Sequence, residues 1–132
     1  MATPVITQVV EFPVSSERLF DAYLDPIEHT RITGSPASIS SAVGVNFSAF
    51  NGMISGKNLL IAPKQMIVQS WRAGIWRESD SDSVLVLVFE AAAAGGRITL
   101  THVNVPEHDY RGVTEGWEKY YWRPWRAYLG VR

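Results

Sequence analysis

The chain has 132 residues, a length that suits one domain able to bury roughly two-thirds of the surface its unfolded form exposes. It holds no cysteine and has a formal net charge of −1, which excludes disulfides and thiolate metal sites and supplies neither a basic stripe for nucleic acid nor a polybasic anchor for lipid. No apolar run reaches the roughly 18 residues of a membrane span and the first cation is Arg18, so the expectation is a cytoplasmic protein without span or signal peptide, folded as a single domain over residues 1–132.

Residues 3–12 (TPVITQVVEF) alternate β-branched and polar positions and stop at Pro13, which predicts a first strand. Ser15 is placed as the N-cap of a short helix over 16–23, with Val14 and Leu19 as a hydrophobic staple. A second start signal follows, with Asp25 as cap, Pro26 at the first helical position and Glu28 at the third; this helix is expected to stop before Gly34.

From residue 38 to 104, strand-like runs are separated by turn residues. The runs are 39–42, 45–50, 53–62, 65–72, 83–91 and 97–104, with Asn51-Gly52 the strongest hairpin signal. Consecutive strands joined by short turns predict an antiparallel meander rather than βαβ units. Residues 73–82 (AGIWRESDSD) read as an irregular connection with an exposed acidic tip.

Residues 110–129 carry three of the five tryptophans and four of the five tyrosines. At helical spacing Val113, Trp117, Tyr120, Tyr121, Pro124, Tyr128 and Val131 share one arc, while Glu115, Lys119, Arg123 and Arg126 lie opposite. Pro124 removes a backbone donor and crowds the carbonyl of Tyr120, so a kink is expected there. The fold class is therefore α+β. A curved antiparallel sheet of about six or seven strands wraps a long C-terminal helix, with two short helices after strand 1: a helix-grip arrangement that leaves room for a cavity.

The ordered runs Phe47-Ser48-Ala49-Phe50-Asn51-Gly52, Ile54-Ser55-Gly56, Ile67-Val68-Gln69-Ser70-Trp71-Arg72, Leu100-Thr101-His102, Val105-Pro106, Gly116-Trp117, Tyr120-Tyr121-Trp122 and Pro124 resemble one known domain. It is the domain homologous to the activator of the heat-shock protein 90 ATPase, within the START-like group of helix-grip folds. The likeness covers nearly the whole chain. It departs at Val45-Asn46, where relatives often carry Gly-Lys, and at Arg97, where a Thr often follows the glycine. The resemblance implies a stand-alone START-like domain and a chaperone as a possible partner.

Strand parity turns Asn58, Gln69 and His102 inward, where each needs an internal partner or a ligand that supplies one. With Trp71, Trp76, Trp117, Tyr120 and Tyr121 as aromatic walls, they form the candidate site for a small hydrophobic molecule. The flank of Trp122, Trp125 and Leu129 is the candidate surface for a protein partner, either a chaperone or another stress-related module. His29, His102 and His108 lack ligand spacing, so no metal and no cofactor is expected. No nucleophile or phosphate-loop motif occurs, and catalytic residues are not assigned. A cyclase- or hydrolase-like reaction would have to use His102 beside Tyr120. The expected state is a monomer or weak dimer.

Overall fold

A computed structural model describes residues 3–130. Strand β1 (Ile6–Phe12) leads into helix α1 (Ser16–Leu24), whose first turn is closed by the Ser15 hydroxyl accepting from the Arg18 amide at 3.1 Å. Helix α2 (Pro26–Thr33) follows at once. The Asp25 carboxylate accepts from the amides of Ile27 and Glu28 at 2.9 and 3.0 Å, and Gly34 ends the helix at φ 78°. Both starts are those the capping residues predict, because a side-chain oxygen before a helix satisfies donors that have no partner within it.

Strands β2 (Asn46–Ala49), β3 (Ile54–Ala62), β4 (Met66–Ala73), β5 (Ser83–Ala92) and β6 (Gly95–Val103) then form a meander, and β1 closes it against β6. The six-stranded antiparallel sheet has the order β1-β6-β5-β4-β3-β2. The turn between β2 and β3 puts Phe50, Asn51 and Gly52 all at positive φ. Gly56 is in β3 because a Cβ there would overlap the Ser70 carbonyl of the neighbouring strand.

The predicted strand over 39–42 does not form. Ser38 makes only an isolated bridge to Ser48, and the carbonyls of Ser40 and Ala42 are taken by the Asn58 amide at 2.8 and 3.0 Å. A side chain thus fills the role of a strand partner. The register also shifts between Asn58 and Leu60, so Leu60 does not keep the inward parity of Ile54 and Asn58 and is 47% exposed.

On the inner face of the sheet, Ile67, Leu85, Leu87, Ile98 and Leu100 pack beneath α1 and the C-terminal helix. That helix has four parts. A 3₁₀ turn (Glu107–Asp109) leads into α3 (Tyr110–Gly116), a π-helical segment (Trp117–Trp122) and α4 (Arg123–Gly130). Among its buried residues Val113, Trp117, Tyr121, Trp125 and Leu129 recur every fourth position, joined by Trp122. In an α-helix each four-residue step overshoots one turn by about 40°. The wide π turn takes part of that drift back.

The predicted arc is therefore rotated. Tyr120 and Tyr128 are 51% and 38% exposed, whereas Trp122, Trp125 and Leu129 are buried to 2%, 0% and 3%. Val131, the last member of the arc, lies outside the described residues. The distortion expected at Pro124 takes the form of this π segment, in which the Arg123 amide donates to the Glu118 carbonyl five residues back.

Candidate functional site

Between the β2–β3 turn, the end of β4 and the C-terminal helix lies a groove of about 410 Å³. Trp71, Trp117, Tyr120 and Tyr121 line it, as the aromatic pattern predicts. Trp117 and Tyr121 lie 4.7 Å apart between ring centroids, and Trp71 stands 6.0 Å from Trp117. Phe50, Met53, Ile54 and Ile75 complete the apolar wall from the sheet side. None of those four is among the site residues expected from the sequence. The legible signal lay in the helix, where Gly112 and Gly116 at i, i+4 spacing mark one face without side chains.

Phe50 holds one corner under strain. Its φ of 52° lies in the left-handed region, at about 1–2 kcal/mol for a residue with a Cβ. T-shaped contacts with Tyr120 at 5.9 Å and Tyr121 at 5.4 Å keep it there. Strain of this kind gathers at binding and catalytic sites.

The polar candidates do not enter the groove. Gln69 accepts from the Tyr23 hydroxyl at 2.9 Å and donates to Asn58 Oδ1 at 2.9 Å, and Asn58 passes the chain on to the carbonyls of the 38–45 segment. His102 accepts from Trp117 Nε1 at 3.1 Å through Nδ1, which fixes the remaining proton on Nε2. Nε2 donates to the Ser83 hydroxyl at 2.8 Å, and Ser83 donates to the Trp71 carbonyl at 2.6 Å. Burial lowers the His102 pKa from 6.5 to about 3, so the imidazole is neutral at ordinary pH. His102 and Tyr120 do not form the nominated acid–base pair, since both imidazole nitrogens are engaged and Tyr120 faces the groove.

His29 extends the same pattern. Its Nδ1 donates to the Tyr23 carbonyl at 2.7 Å, and Nε2 accepts from the Tyr121 hydroxyl at 3.0 Å. Burial lowers its pKa and raises those of Tyr23 and Tyr121. One internal polar scaffold thus ties the groove's back wall to α1, α2, β3 and β4. Replacing Gln69 by leucine would leave the Tyr23 hydroxyl and the Asn58 carbonyl unpaired, each a penalty of about 1–3 kcal/mol. The expected loss in urea unfolding is about 2–6 kcal/mol, with affinity for an aromatic probe unchanged. Reduced affinity at unaltered stability would contradict the scaffold role.

Trp76 lies behind the groove wall, 6% exposed, with its indole 5.7 Å from Trp71 and its Nε1 donating to Asp109 Oδ2 at 2.7 Å. The segment around it is not a free acidic tip. Arg72 clamps it through the carbonyls of Asp80 and Arg77 and the Asp82 carboxylate at 2.6 Å. The Asp80 carboxylate meets His108 at 2.7 Å, and that hydrogen bond holds Asp80 below the usual carboxylate range. The expected partner surface is likewise core. Trp122 donates to Gln8 at 2.7 Å, and Trp125 packs against Phe12 and Trp122 with its indole N–H unpartnered.

A second hollow, about 630 Å³, opens between α1 and the β3–β4 turn and is rimmed by Asp21, Asp25 and Lys64. Its walls carry none of the predicted site residues. Among the described residues no three His, Asp or Glu side chains gather as a metal site, and no helix is long and apolar enough to cross a membrane.

The family model described as "Activator of Hsp90 ATPase homolog 1-like protein" matches residues 13–130. The chain belongs to this family. The Hsp90 ATPase activator homologue domain seen here has a START-like helix-grip fold, as the sequence motifs imply. It is similar to an HSP90 activator from Plasmodium falciparum, at 27% identity and TM-score 0.87 over 98% of this chain and 99% of that one. The Aha1 dimer from Colwellia psychrerythraea has the same fold, with 18% identity and TM-score 0.79 over 96% and 97% of the two chains. A Dictyostelium discoideum activator of 90 kDa heat shock protein ATPase homolog is 23% identical over 83% of this chain. The chain spans 28% of that relative's length and 38% of a similar Schizosaccharomyces pombe protein.

Proposed function

We propose that this activator-homologue domain binds a small, largely apolar molecule in the groove between the β2–β4 side of the sheet and the C-terminal helix, without catalysing its conversion. The observation that carries the reading is the groove itself, walled by Trp71, Trp117, Tyr120 and Tyr121 and cornered by the strained Phe50. Its volume of about 410 Å³ lies within the roughly 300–1,000 Å³ of small-molecule sites. Stacking and edge contacts contribute about 0.5–1.5 kcal/mol each beyond burial. The buried imidazoles serve as architecture, with their nitrogens engaged, and offer no base to a substrate.

Gly116 provides the test. A Cβ built there meets only the Tyr120 ring, at 3.6 Å, so a larger side chain enters the groove while the helix gains about 1 kcal/mol in propensity. Native mass spectra of the protein purified gently from its own cells are expected to show a retained small molecule, absent from Gly116→Leu. An empty wild-type domain contradicts the reading.

A second reading is favoured by the Plasmodium falciparum relative, whose description as an HSP90 activator belongs to a chain covered over nearly its whole length. On this reading the exposed rim of Met53, Ile75 and Tyr120, at 50%, 66% and 51% exposure, meets a chaperone surface. Co-purification of an HSP90 chain with an empty groove, lost in Ile75→Ser, would select it.

A further inference from the structure

The groove is apolar except at one end. Among the described residues that line it, Asp109 is the only carboxylate, and neither lysine nor arginine is present. Its position is built. The backbone amide of Asp109 donates to the Pro106 carbonyl at 3.0 Å, and Oδ2 accepts from the buried Trp76 indole at 2.7 Å. The other oxygen, Oδ1, lies over Gly112, where a Cβ would come within 2.5 Å of it. The glycine therefore leaves room for a carboxylate edge on the groove floor. Asp109 does not cap α3 with its side chain, so the helix start does not consume that oxygen.

We propose that the molecule held in the groove is amphiphilic, an aromatic or aliphatic body with a positively charged nitrogen at the end that meets Asp109. The inference rests on the groove being a ligand site. A wholly apolar occupant would strip water from Asp109 and return no hydrogen bond, a loss that exposes the cost of an unpaired ion. An anionic occupant would meet like charge. An ammonium or amidinium replaces the lost water with a charge-assisted hydrogen bond.

Three probes with one aromatic body separate the possibilities: 2-naphthylmethylammonium, 2-naphthylmethanol and 2-naphthoate, titrated into the 132-residue protein and followed by calorimetry. The ammonium is expected to bind at least about 10-fold more tightly than the alcohol, a difference of about 1.4 kcal/mol, and the carboxylate more weakly than both. In Asp109→Asn, which keeps an acceptor for Trp76, the ammonium advantage over the alcohol is expected to vanish. Gly116→Leu should abolish all three. Equal affinities, or naphthoate binding most tightly, overturn the charge assignment while leaving the groove as a site. Failure of every probe to saturate the wild-type protein overturns both.

Discussion

Replacing Trp117 by alanine is expected to lower stability by about 3–5 kcal/mol, read from urea unfolding with an unchanged slope. The indole is 2% exposed and stands among Trp71, His102, Tyr121 and Trp122, with ring centroids 6.0, 5.9, 4.7 and 5.7 Å away. Truncation opens a cavity bordering the groove and strips the donor from His102 Nδ1. Trp117→Phe limits the truncation, because it keeps a six-membered aromatic ring in place while losing the N–H and part of the indole surface; the lost hydrogen bond alone is expected to cost about 1–3 kcal/mol. If alanine costs less than about 1 kcal/mol, the helix does not depend on this side chain for its seat on the sheet.

Acid should unfold the protein in a window set by buried histidines. Both His102 and His29 have pKa values lowered by burial, His102 from 6.5 to about 3. In the unfolded chain each takes a proton near pH 6.5, whereas the folded chain refuses it. The unfolded state thus binds more protons below pH 6.5, and stability is lost as pH falls from 6.5 toward 3. A single group contributes a slope of about 1.4 kcal/mol per pH unit, so His102 alone should remove about 2 kcal/mol between pH 6.5 and 5. Asp80 and Glu118 lie below their ordinary 3.8 and 4.5 and titrate at lower pH, leaving the upper part of the window to the imidazoles. Urea midpoints measured from pH 7 to 5 check the slope, which His102→Gln should reduce. A flat profile would show that the imidazoles reach water in the folded protein.

Much of this architecture is written locally. Ser15, Asp25-Pro26 and Asn51-Gly52 each state a backbone decision in the residues that carry it out, and the structure places a cap, a helix start and a turn at those points. The sheet order follows from short turns. The inward parity of Gln69 and His102 held because β4 and β6 are regular. Asn58 also points inward, but the register shift after it turned Leu60 out.

What escaped was decided between distant segments. The π segment rotates the helix so that Trp122, Trp125 and Leu129 enter the core, and a reading at constant helical phase placed them on a flank. Pro124 pointed to a distortion without giving its form. The partners of the inward polar groups, such as Tyr23 for Gln69 and Ser83 for His102, come from elements 46 and 19 residues away. No spacing rule joins them. Likewise Phe50, Ile75 and Asp109 become neighbours of the groove only when the β2–β3 turn, the 74–82 segment and the start of α3 converge.

The central claim is that this groove, and not the polar scaffold behind it or the second hollow, receives the ligand. Backbone amide NMR shifts recorded while 2-naphthylmethanol is added test it most directly. The account predicts saturable shifts at Phe50, Ile54, Ala73, Ile75, Gly112, Gly116 and Tyr120, with Asn58 and Gln69 unmoved. Saturable shifts confined to Phe20, Val43 and Lys64 around the second hollow, or no saturable shift at all, would contradict it.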